Sequence, residues 1–381
     1  MRCLLLSAYH AHSHAYWCDG VMANFPHIQW EQLTLPARYF NWRIRGNAIS
    51  LLAQYPEQLS APADAIVATS MTDLVGLKAL APHLAGCPSV LYFHENQFDY
   101  PANDAQQARL EPQMMTLYSA LVANYLVFNS CYNCNTFFAG VSALVRKLPD
   151  GLPKNLVADL QAKARVLPVP LNPAAHPGPS AKAGRLTVIW NHRWEHDKAP
   201  ERLYEALVKL REKAPGCALT VHLVGQSFRK VPAVFAKIKQ LLEEEGWAGA
   251  WGFQQARADY NRLLAESHFA ISTALHDFQG LAMLEAAAYG AQPILPRRLA
   301  YPEWFSESAA RFYGSHPEDV HSEAQALAEV LVQAVQGHYS GAAMRGHAAA
   351  TEAVAALGWG NLRAAYGQLF DELQASAGLM G

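Results

Sequence analysis

The sequence predicts an α/β protein made of two doubly wound domains in tandem. Short apolar runs recur along the chain and alternate with helical stretches, which is the pattern of parallel strands joined by crossover helices. The chain has 381 residues, which is too many for one ordinary hydrophobic core and enough for two domains. A proline-rich segment, residues 168–179, divides the runs into a first and a second set and predicts a linker.

Composition indicates a folded protein, and its net charge does not indicate a particular class of partner. Hydrophobic residues make up 51% of the chain, charged residues make up 16%, and the formal net charge is −2. An RNA partner would therefore have to use a local basic patch. The N-terminus turns polar too early for a signal peptide, and no apolar run approaches the roughly 20 residues of a membrane span. We expect a cytoplasmic protein that does not enter membranes.

Residue types that bind metals occur without the spacing of a metal site. The six cysteines form no disulfide-like framework, and Cys131 and Cys134 lack a second pair of ligands. His10, His12 and His14 follow the first strand on a predicted loop, with no flanking carboxylate. We therefore expect no bound metal, and a cysteine pair that is buried or idle.

In the first domain, polar side chains follow the predicted strands. The strands fall at residues 2–8, 33–36, 65–69, 89–93 and 125–128, and the helices at 16–25, 113–123 and 133–141. His14 follows the first strand and His94 follows the fourth. Because ligands bind at the carboxyl ends of parallel strands, we expect these histidines to contact phosphate or hydroxyl groups.

Three arginines and three aromatic residues lie within residues 38–45, directly after the second strand. Arginine with interleaved aromatic rings binds phosphate and stacks on bases, which favours a nucleic-acid contact. The alternative is the start of a surface helix with one buried side chain, Trp42.

In the second domain, strands are predicted at residues 186–190, 218–225, 247–253, 269–273 and 293–296, and the chain ends in an amphipathic helix at 361–373. Arg193 and Lys198 flank the loop after the first of these strands, where two cations would clamp a diphosphate. Two similar α/β domains in tandem leave a cleft between them, which is a usual place for a ligand.

The most informative stretch is residues 276–286, where a buried strand feeds a loop that leads into a helix at 284–289, closed by Gly290. A helix N-terminus offers N–H groups and a positive dipole end, which suit phosphate. Asp277 is expected in the loop and Glu285 two turns into the helix, with ribose or sugar hydroxyls as targets. The alternative is a capped helix, with Asp277 bonded to backbone and Glu285 on a solvent-exposed face.

The tandem architecture and the two carboxylates resemble the retaining, sugar-nucleotide-dependent glycosyltransferases of the GT-B fold. That family carries Glu-x7-Glu in its second domain, and the pair here is Asp277-x7-Glu285. Phe278 and Gly280 follow Asp277 in the loop and resemble the Phe-Gly of the family. The resemblance implies two Rossmann-like domains facing across a cleft. The acceptor-side domain would span 1–172 and the nucleotide-sugar domain 183–360, with a C-terminal helix at 361–381 crossing back to the first domain.

A closer resemblance, over nearly the whole chain, is to the tRNA-queuosine mannosyltransferase family. Two runs carry most of it, Tyr-Phe-His-Glu-Asn-Gln at 92–97 and His-Arg-Trp-Glu-His-Asp-Lys at 192–198. Shorter matches lie at residues 36–38, 42–43, 128–130 and 282–286. The chain departs from the family at Ala11 and His12, where that family has two glycines before its Ser-His pair.

The resemblance implies transfer of mannose, or a related hexose, from GDP-mannose to the cyclopentenediol of queuosine in tRNA, with retention and without a metal. The residues it assigns to catalysis are His94, Asp277, Arg193 and Lys198. Those it assigns to the donor are Arg193, Lys198, Gly280, Leu281, Ala282, Glu285, Ser13 and His14. Those it assigns to the acceptor tRNA are Arg38, Arg43, Arg45, Glu95 and Asn96.

Two other functions stay open from the sequence alone. The near-neutral charge favours a GT-B glycosyltransferase with a small or lipid-linked acceptor, although the chain has no strongly amphipathic cationic helix for a lipid surface. Aspartate in place of the first glutamate favours a non-catalytic binder of sugar nucleotides or RNA.

Overall fold

A computed structural model describes residues 1–99, 110–173, 185–227, 231–337 and 341–378. The chain separates into two compact units, one formed by Met1–Pro170 with Trp359–Gly381 and the other by Leu171–Gly358. The sequence put the domains at 1–172 and 183–360, with 361–381 returning to the first, and residue 183 lies outside the described residues. Of the predicted linker at 168–179, residues 174–179 also lie outside them.

The first unit is built on a parallel sheet. Its described strands are β1 (Arg2–His10), β2 (Gln29–Pro36), β3 (Ala65–Thr69), β4 (Ser89–Phe93), β5 (Tyr125–Phe128) and β6 (Ala164–Val166). They lie in the order β2-β1-β3-β4-β5-β6, and every neighbouring pair is parallel. The helices between them are α1 (His12–Asn24), α2 (Phe40–Gln54), α3 (Pro56–Ser60), α4 (Leu74–Leu80), α5 (Leu110–Val122), α6 (Cys131–Val145) and α7 (Leu156–Ala162).

The second unit repeats this plan. Its described strands are β7 (Leu186–Trp190), β8 (Leu219–Val224), β9 (Ala248–Gly252), β10 (Phe269–Ile271), β11 (Gln292–Pro296) and β12 (Arg311–Tyr313). The sheet order is β12-β11-β10-β7-β8-β9, again parallel throughout. Its helices are α8 (Pro200–Lys213), α9 (Val234–Glu244), α10 (Arg257–Glu266), α11 (Leu281–Ala288), α12 (Tyr301–Trp304), α13 (Val320–Gly337) and α14 (Gly341–Ala355).

The last helix, α15 (Trp359–Gly378), packs into the first unit through a buried aromatic cluster. Trp17 Nε1 donates a 3.0 Å hydrogen bond to the hydroxyl of Tyr366, which lies 3.1 Å from the hydroxyl of Tyr92 and 3.0 Å from the Pro168 carbonyl oxygen. Burial of three rings removes a large apolar area from water, and their polar atoms remain bonded. Among the described helices, none has both the length and the apolar composition of a membrane span.

Every strand predicted from an apolar run is present, because strands buried on both faces read as continuous hydrophobic stretches. The three-residue strands β6 and β12 were not predicted, since each is too short to form such a run. The predicted helices are present but begin a few residues earlier. Helix α1 begins at His12, so the expectation that His12 and His14 lie on a loop is wrong.

The cysteine pair is not buried. Cys131 is exposed and Cys134 is half-buried at the start of α6, and all six cysteines of the chain are free.

A buried ionic network holds the second unit together beneath its sheet edge. Glu323, on α13, is fully buried and accepts two hydrogen bonds from the guanidinium of Arg298, at 2.6 and 2.7 Å. The Nε atom of Arg202 lies 3.3 Å from the same carboxylate. Arg298 also donates to the Ala274 carbonyl oxygen at 2.8 and 3.0 Å. The network therefore fixes the backbone that enters residues 276–280.

We predict that Glu323→Ala lowers the free energy of unfolding by about 3–5 kcal/mol, because it leaves the buried Arg202 and the mostly buried Arg298 without their counter-charge. Equilibrium urea denaturation measures the change. Glu329→Ala is a matched control on the same helix, since Glu329 is exposed and its ion pair with Lys213 is 3.7 Å long. That pair is expected to contribute at most about 1 kcal/mol. Equal losses in the two variants would contradict the role given to Glu323.

Candidate active site

The loop after β7 is held in place by aromatic packing. Trp194 stacks on Phe235 at 4.3 Å between ring centroids, and its backbone N–H donates to the Gln226 carbonyl oxygen at 2.9 Å. The loop ends at Ala199, whose φ of +45° is left-handed, and Pro200 begins α8. These constraints fix residues 191–198 at the carboxyl edge of the sheet, which is where ligands bind in this architecture.

Lys198 is a buried cation, with 7% of its surface exposed. Its ammonium group donates to the His276 carbonyl oxygen at 2.6 Å and lies 3.3 Å from Asp197 Oδ2 and 3.7 Å from Asp277 Oδ2. Burial alone would raise the pKa of Asp197, but the charges of Lys198 and Arg193 outweigh burial and hold that pKa below its ordinary value. The two carboxylates therefore compensate the ammonium charge within the protein.

Arg193 is the accessible cation of this loop, with 45% of its side chain exposed. Nη1 lies 2.8 Å from Glu195 Oε2, and Nη2 lies 3.8 Å from Asp197 Oδ2. Both carboxylates orient the guanidinium while much of it stays in contact with solvent. Such a group can exchange an intramolecular carboxylate for the oxygens of a phosphate ligand.

Asp277 ties the second loop to the start of α11. Its Oδ1 accepts a 3.0 Å hydrogen bond from the Gly280 backbone N–H, and the Tyr301 hydroxyl donates to Oδ2 at 3.3 Å. Gly280 has a φ of +79°, and a Cβ atom there would meet the Tyr301 ring at 2.6 Å. The backbone bond expected in the capped-helix alternative is therefore present, but the same carboxylate also faces Lys198.

Glu285 does not lie on a solvent-exposed face. Helix α11 begins at Leu281, which places Glu285 about one turn into the helix. The sequence predicted a position two turns into the helix. Arg257 donates to its Oε1 at 2.5 Å, and the Tyr260 hydroxyl lies 3.4 Å from Oε2. Asn191 Nδ2 donates both to the Tyr260 hydroxyl, at 2.9 Å, and to the Ala282 carbonyl oxygen, at 3.0 Å.

These contacts join the assigned residues of the second unit into one constellation. Its assigned members are Arg193, Lys198, Asp277, Gly280, Leu281, Ala282 and Glu285, and the sequence reasoning missed Asn191, His192, Arg257 and Tyr260. Arg257 and Tyr260 come from α10, which carried no signal in the sequence. His192 is fully buried, and burial together with the nearby charge of Lys198 lowers its pKa to about 3, so its ring is neutral.

In the first unit, the structure brings His14 and His94 into contact. Their ring centroids are 4.2 Å apart, and Trp17 and Tyr92 pack against His94 at 5.2 and 4.8 Å. Burial, with smaller effects from neighbouring histidines, holds the pKa of His94 well below its ordinary value. Among the described residues, Nε2 of His94 has no hydrogen-bond partner. The edge of this sheet therefore presents a neutral imidazole rather than a charged one.

The residues after His94 differ in what they can offer a ligand. Glu95 is half-buried, and its Oε1 lies 3.6 Å from His14 Nε2. Asn96 is fully buried, donates to Asn133 Oδ1 at 2.9 Å and accepts from the Phe98 backbone N–H at 2.9 Å. Asn96 thus orders the loop, whereas Glu95 presents part of its carboxylate to solvent. Ser13 is half-buried in the first turn of α1.

The three arginines assigned to RNA lie in different environments. Arg43 is 9% exposed and makes long hydrogen bonds of 3.4 Å to the Pro36 carbonyl oxygen and 3.5 Å to Ser50 Oγ. Arg38 is exposed, and Arg45 is exposed and paired with Glu111. Trp42, which the surface-helix alternative takes to be buried, is exposed, so the structure does not support that part of the alternative. Arg38 and Arg45, not Arg43, present their charge to solvent.

The fold and the sequence are similar to those of known glycosyltransferases. One solved structure with the same fold is Anabaena Alr3699/HepE in complex with UDP and glucose, which has a TM-score of 0.69 and is 14% identical over 98% of this chain and 100% of that chain. Another is sucrose-phosphate synthase from Thermosynechococcus elongatus, which has a TM-score of 0.68 and is 15% identical over 99% of this chain and 100% of that chain. At these identities the likeness establishes the GT-B fold alone.

Closer sequence matches establish the family. The family model described as tRNA-queuosine alpha-mannosyltransferase N-terminal matches residues 2–171. A relative from Drosophila melanogaster, named tRNA-queuosine alpha-mannosyltransferase, is 32% identical over 310 residues, which are 79% of this chain and 80% of the relative. Since the second match runs through both units with their carboxylate and cation loops, the chain belongs to the tRNA-queuosine alpha-mannosyltransferase family.

Proposed function

We propose that this protein transfers mannose, or a related hexose, from a GDP-sugar to the cyclopentenediol of queuosine in tRNA, with retention at the anomeric carbon. Family membership supports the reaction class. The observation that carries the proposal is the constellation in the second unit, where Lys198 lies 3.7 Å from Asp277 near the start of α11 and Arg193 lies 3.8 Å from Asp197. Cations beside a helix N-terminus suit a diphosphate, and carboxylates beside them suit sugar hydroxyls.

The donor diphosphate is assigned to Arg193 and the first turn of α11. The first N–H groups of a helix have no partner within the helix, so Leu281 and Ala282 supply donors at its positive end. The half-exposed guanidinium of Arg193 supplies a charged fork. Lys198 acts from a buried position, where its charge stabilises the negative charge that develops on the departing diphosphate.

Glu285 and Asp277 are assigned to hydroxyl groups of the donor. Arg257 and Tyr260 hold the Glu285 carboxylate at one oxygen each, which leaves further lone pairs for two ribose hydroxyls. Asp277, with one oxygen on the Gly280 N–H, would accept from hydroxyls of the sugar. A carboxylate held by neighbouring groups loses less conformational freedom when the ligand binds.

The chemical step is a front-face displacement. The acceptor hydroxyl oxygen bonds to C1 of the sugar on the face from which the diphosphate oxygen departs, and its proton passes to an oxygen of the leaving diphosphate. His94 keeps its assignment as the group that steadies the oxocarbenium-like transition state. Its neutral ring, or its carbonyl oxygen, which accepts from Asn129 at 2.9 Å, adds no positive charge beside the cationic sugar.

The acceptor contacts are assigned to the first unit, and the compartment to the cytoplasm. Because the protein has a formal net charge of −2, binding of tRNA phosphates requires a local basic patch, and Arg38 and Arg45 are exposed to solvent and can form part of one.

We further propose that no metal takes part, because Arg193 and Lys198 supply the positive charge that a metal would bring to a diphosphate. Among the described residues, no cluster of three His, Cys, Asp or Glu side chains could hold a metal ion.

The diphosphate assignment predicts that Arg193→Ala weakens binding of GDP and of GDP-mannose by about tenfold to a hundredfold, the range of a lost charge-assisted hydrogen bond. Isothermal titration calorimetry measures both affinities. Arg262→Ala is the control, since Arg262 is exposed on α10 and pairs only locally with Asp259 at 3.1 Å. GDP affinity that is unchanged in Arg193→Ala would remove this residue from the donor site.

The assignment of Glu285 predicts that Glu285→Gln slows acceptor-independent hydrolysis of GDP-mannose by at least about tenfold, because an amide no longer matches both Arg257 and the ribose hydroxyls. Release of GDP without acceptor is followed by chromatography. Glu266→Gln, an exposed carboxylate at the end of α10, should hydrolyse the donor like the wild type. A wild-type protein that binds donor without turning it over would support the non-catalytic alternative instead.

The reaction itself predicts a mass gain of one hexose on queuosine nucleosides of tRNA incubated with the protein and GDP-mannose. Mass spectrometry of digested nucleosides detects the product. The same tRNA carrying guanosine in place of queuosine is the negative control, and a free diol acceptor tests the small-molecule alternative. Transfer to the small acceptor, with queuosine tRNA left unmodified, would overturn the assignment of tRNA.

A further inference from the structure

Two large aromatic rings stand exposed where α2 begins. Tyr39 is 69% exposed and Trp42 is 54% exposed. Rings of this size contribute most to stability when they are buried. Two exposed rings within four residues therefore indicate a surface that binds a ligand or a partner molecule. We call Tyr39 and Trp42 the aromatic pair.

The backbone holds Tyr39 in a conformation that bulky residues rarely adopt. Its φ and ψ are +57° and +54°, in the left-handed region. The backbone N–H groups of Trp42 and Arg43 both donate to the Tyr39 carbonyl oxygen at 2.9 Å, which fixes this geometry at the helix start. Strained backbone conformations of non-glycine residues cluster at functional sites. The strained turn places the phenol ring outside the core instead of within it.

One face of the Trp42 ring is supported and the rest is open. A Cβ atom at Gly46, one turn later in α2, would come within 2.5 Å of two atoms of the indole ring. The ring therefore lies against the helix backbone at Gly46, where only glycine leaves room for it. A flat aromatic surface fixed on one side and open to solvent on the other is suited to stacking.

Cationic side chains flank the aromatic pair. The Arg38 guanidinium lies 5.5 Å from the centroid of the Tyr39 ring. Arg45, three residues beyond Trp42 on α2, is exposed and pairs with Glu111, which is itself half-exposed. Charge next to open aromatic faces is the combination that binds single-stranded nucleic acid, since the cations contact phosphates and the rings stack on bases. An apolar protein partner would gain nothing from these charges.

The aromatic pair belongs to the same sheet edge as the buried histidines. It follows the carboxyl end of β2, which pairs in parallel with β1 so that Pro36 lies opposite His10. Phe40, which follows Tyr39 in the sequence, packs edge-on against Tyr9 of β1 at 6.1 Å between ring centroids. Within this unit, the pair therefore lies one strand away from the strand whose end carries His10 and leads into His14.

We propose that Tyr39 and Trp42 stack on unpaired bases of the RNA loop that carries the acceptor nucleoside, with Arg38 on the adjoining phosphate. This inference rests on the proposed function, because it adds contacts to bases to the phosphate contacts that the exposed Arg38 and Arg45 would make. It also names how the protein would choose a single-stranded loop over duplex RNA: only unpaired bases can leave their own stack and lie on a protein ring.

Fluorescence of a 2-aminopurine base in the loop of a synthetic anticodon stem-loop RNA tests the stacking directly. Wild-type protein is expected to quench it. Trp42→Ala and Tyr39→Ala should each weaken this binding by about tenfold, while Trp42→Phe, which keeps a ring, should retain most of it. Gly46→Ala should also weaken it, because the added methyl group displaces the indole ring without removing it.

Tyr118→Ala is the matched control. Tyr118 is also an exposed ring of the first unit, but it lies near the end of α5, shortly before β5 begins and hence towards the opposite edge of the sheet. Its loss should leave quenching unchanged. Absent quenching by the wild type, or equal quenching by wild type, Trp42→Ala and Tyr39→Ala, would overturn the proposal. A Trp42→Ala variant that alters self-association and leaves quenching intact would assign the pair to contact with a second copy.

A transfer assay separates this inference from the proposed function. With queuosine tRNA, Trp42→Ala should raise KM for tRNA about tenfold with little change in kcat, because stacking positions the loop before the chemical step. Quenching that depends on the aromatic pair, in a wild type that transfers no sugar to tRNA, would keep the RNA contact and refute the proposed reaction. Transfer to tRNA with the same KM in the wild type, Trp42→Ala and Tyr39→Ala would keep the proposed reaction and refute the RNA contact of the aromatic pair.

Discussion

The site of the second unit depends on the burial of one ammonium group. Removing Lys198 from water is costly unless its charge and its three donors are satisfied within the protein. Asp197, Asp277 and the His276 carbonyl oxygen provide this compensation, so the cation can be buried only when the two loops meet. Thr273 adds a 2.6 Å hydrogen bond to the Lys198 carbonyl oxygen. The same interaction that makes burial tolerable therefore sets the positions of the cation and of the acidic loop.

Rigidity behind the loops explains how such a balance can persist. Arg298 joins the fully buried Glu323 to the Ala274 carbonyl oxygen, two residues before His276. On the other side, Trp190 Nε1 donates to Thr273 Oγ1 at 2.9 Å, which connects the loop to the end of β7. Charged and polar groups in the interior are thus used to define backbone positions. The guanidinium of Arg193 joins this framework through Glu195 and Asp197, while 45% of its side chain stays exposed to solvent.

The sequence predicted the strands and the family well, and the details of the site less well. Continuous apolar runs identify buried strands by themselves, and the run at 192–198 led to the family that the comparisons confirm. The starts of α1 and α11 were predicted too late because neither Ala11 nor Gly280 provides a side-chain cap. The partners of Glu285 were missed because they come from a helix with no sequence signal. The surface-helix alternative placed Trp42 in the core because large apolar residues are usually buried, whereas Gly46, one turn later, lets the ring lie on the surface.

Taken separately, the two sheet edges differ in electrostatic character, and the difference fits the proposed chemistry. The second unit holds cations among carboxylates at its edge, and cations in fixed positions suit a donor that leaves with a growing negative charge. The first unit instead buries His94 in a neutral state, next to His14 and aromatic rings. A protonated imidazole would repel a sugar that acquires positive character in the transition state, whereas a neutral ring or a carbonyl oxygen would attract it. In the proposed reaction, burial of His94 would keep a proton away from the sugar, and burial of Lys198 would keep a positive charge in a fixed position.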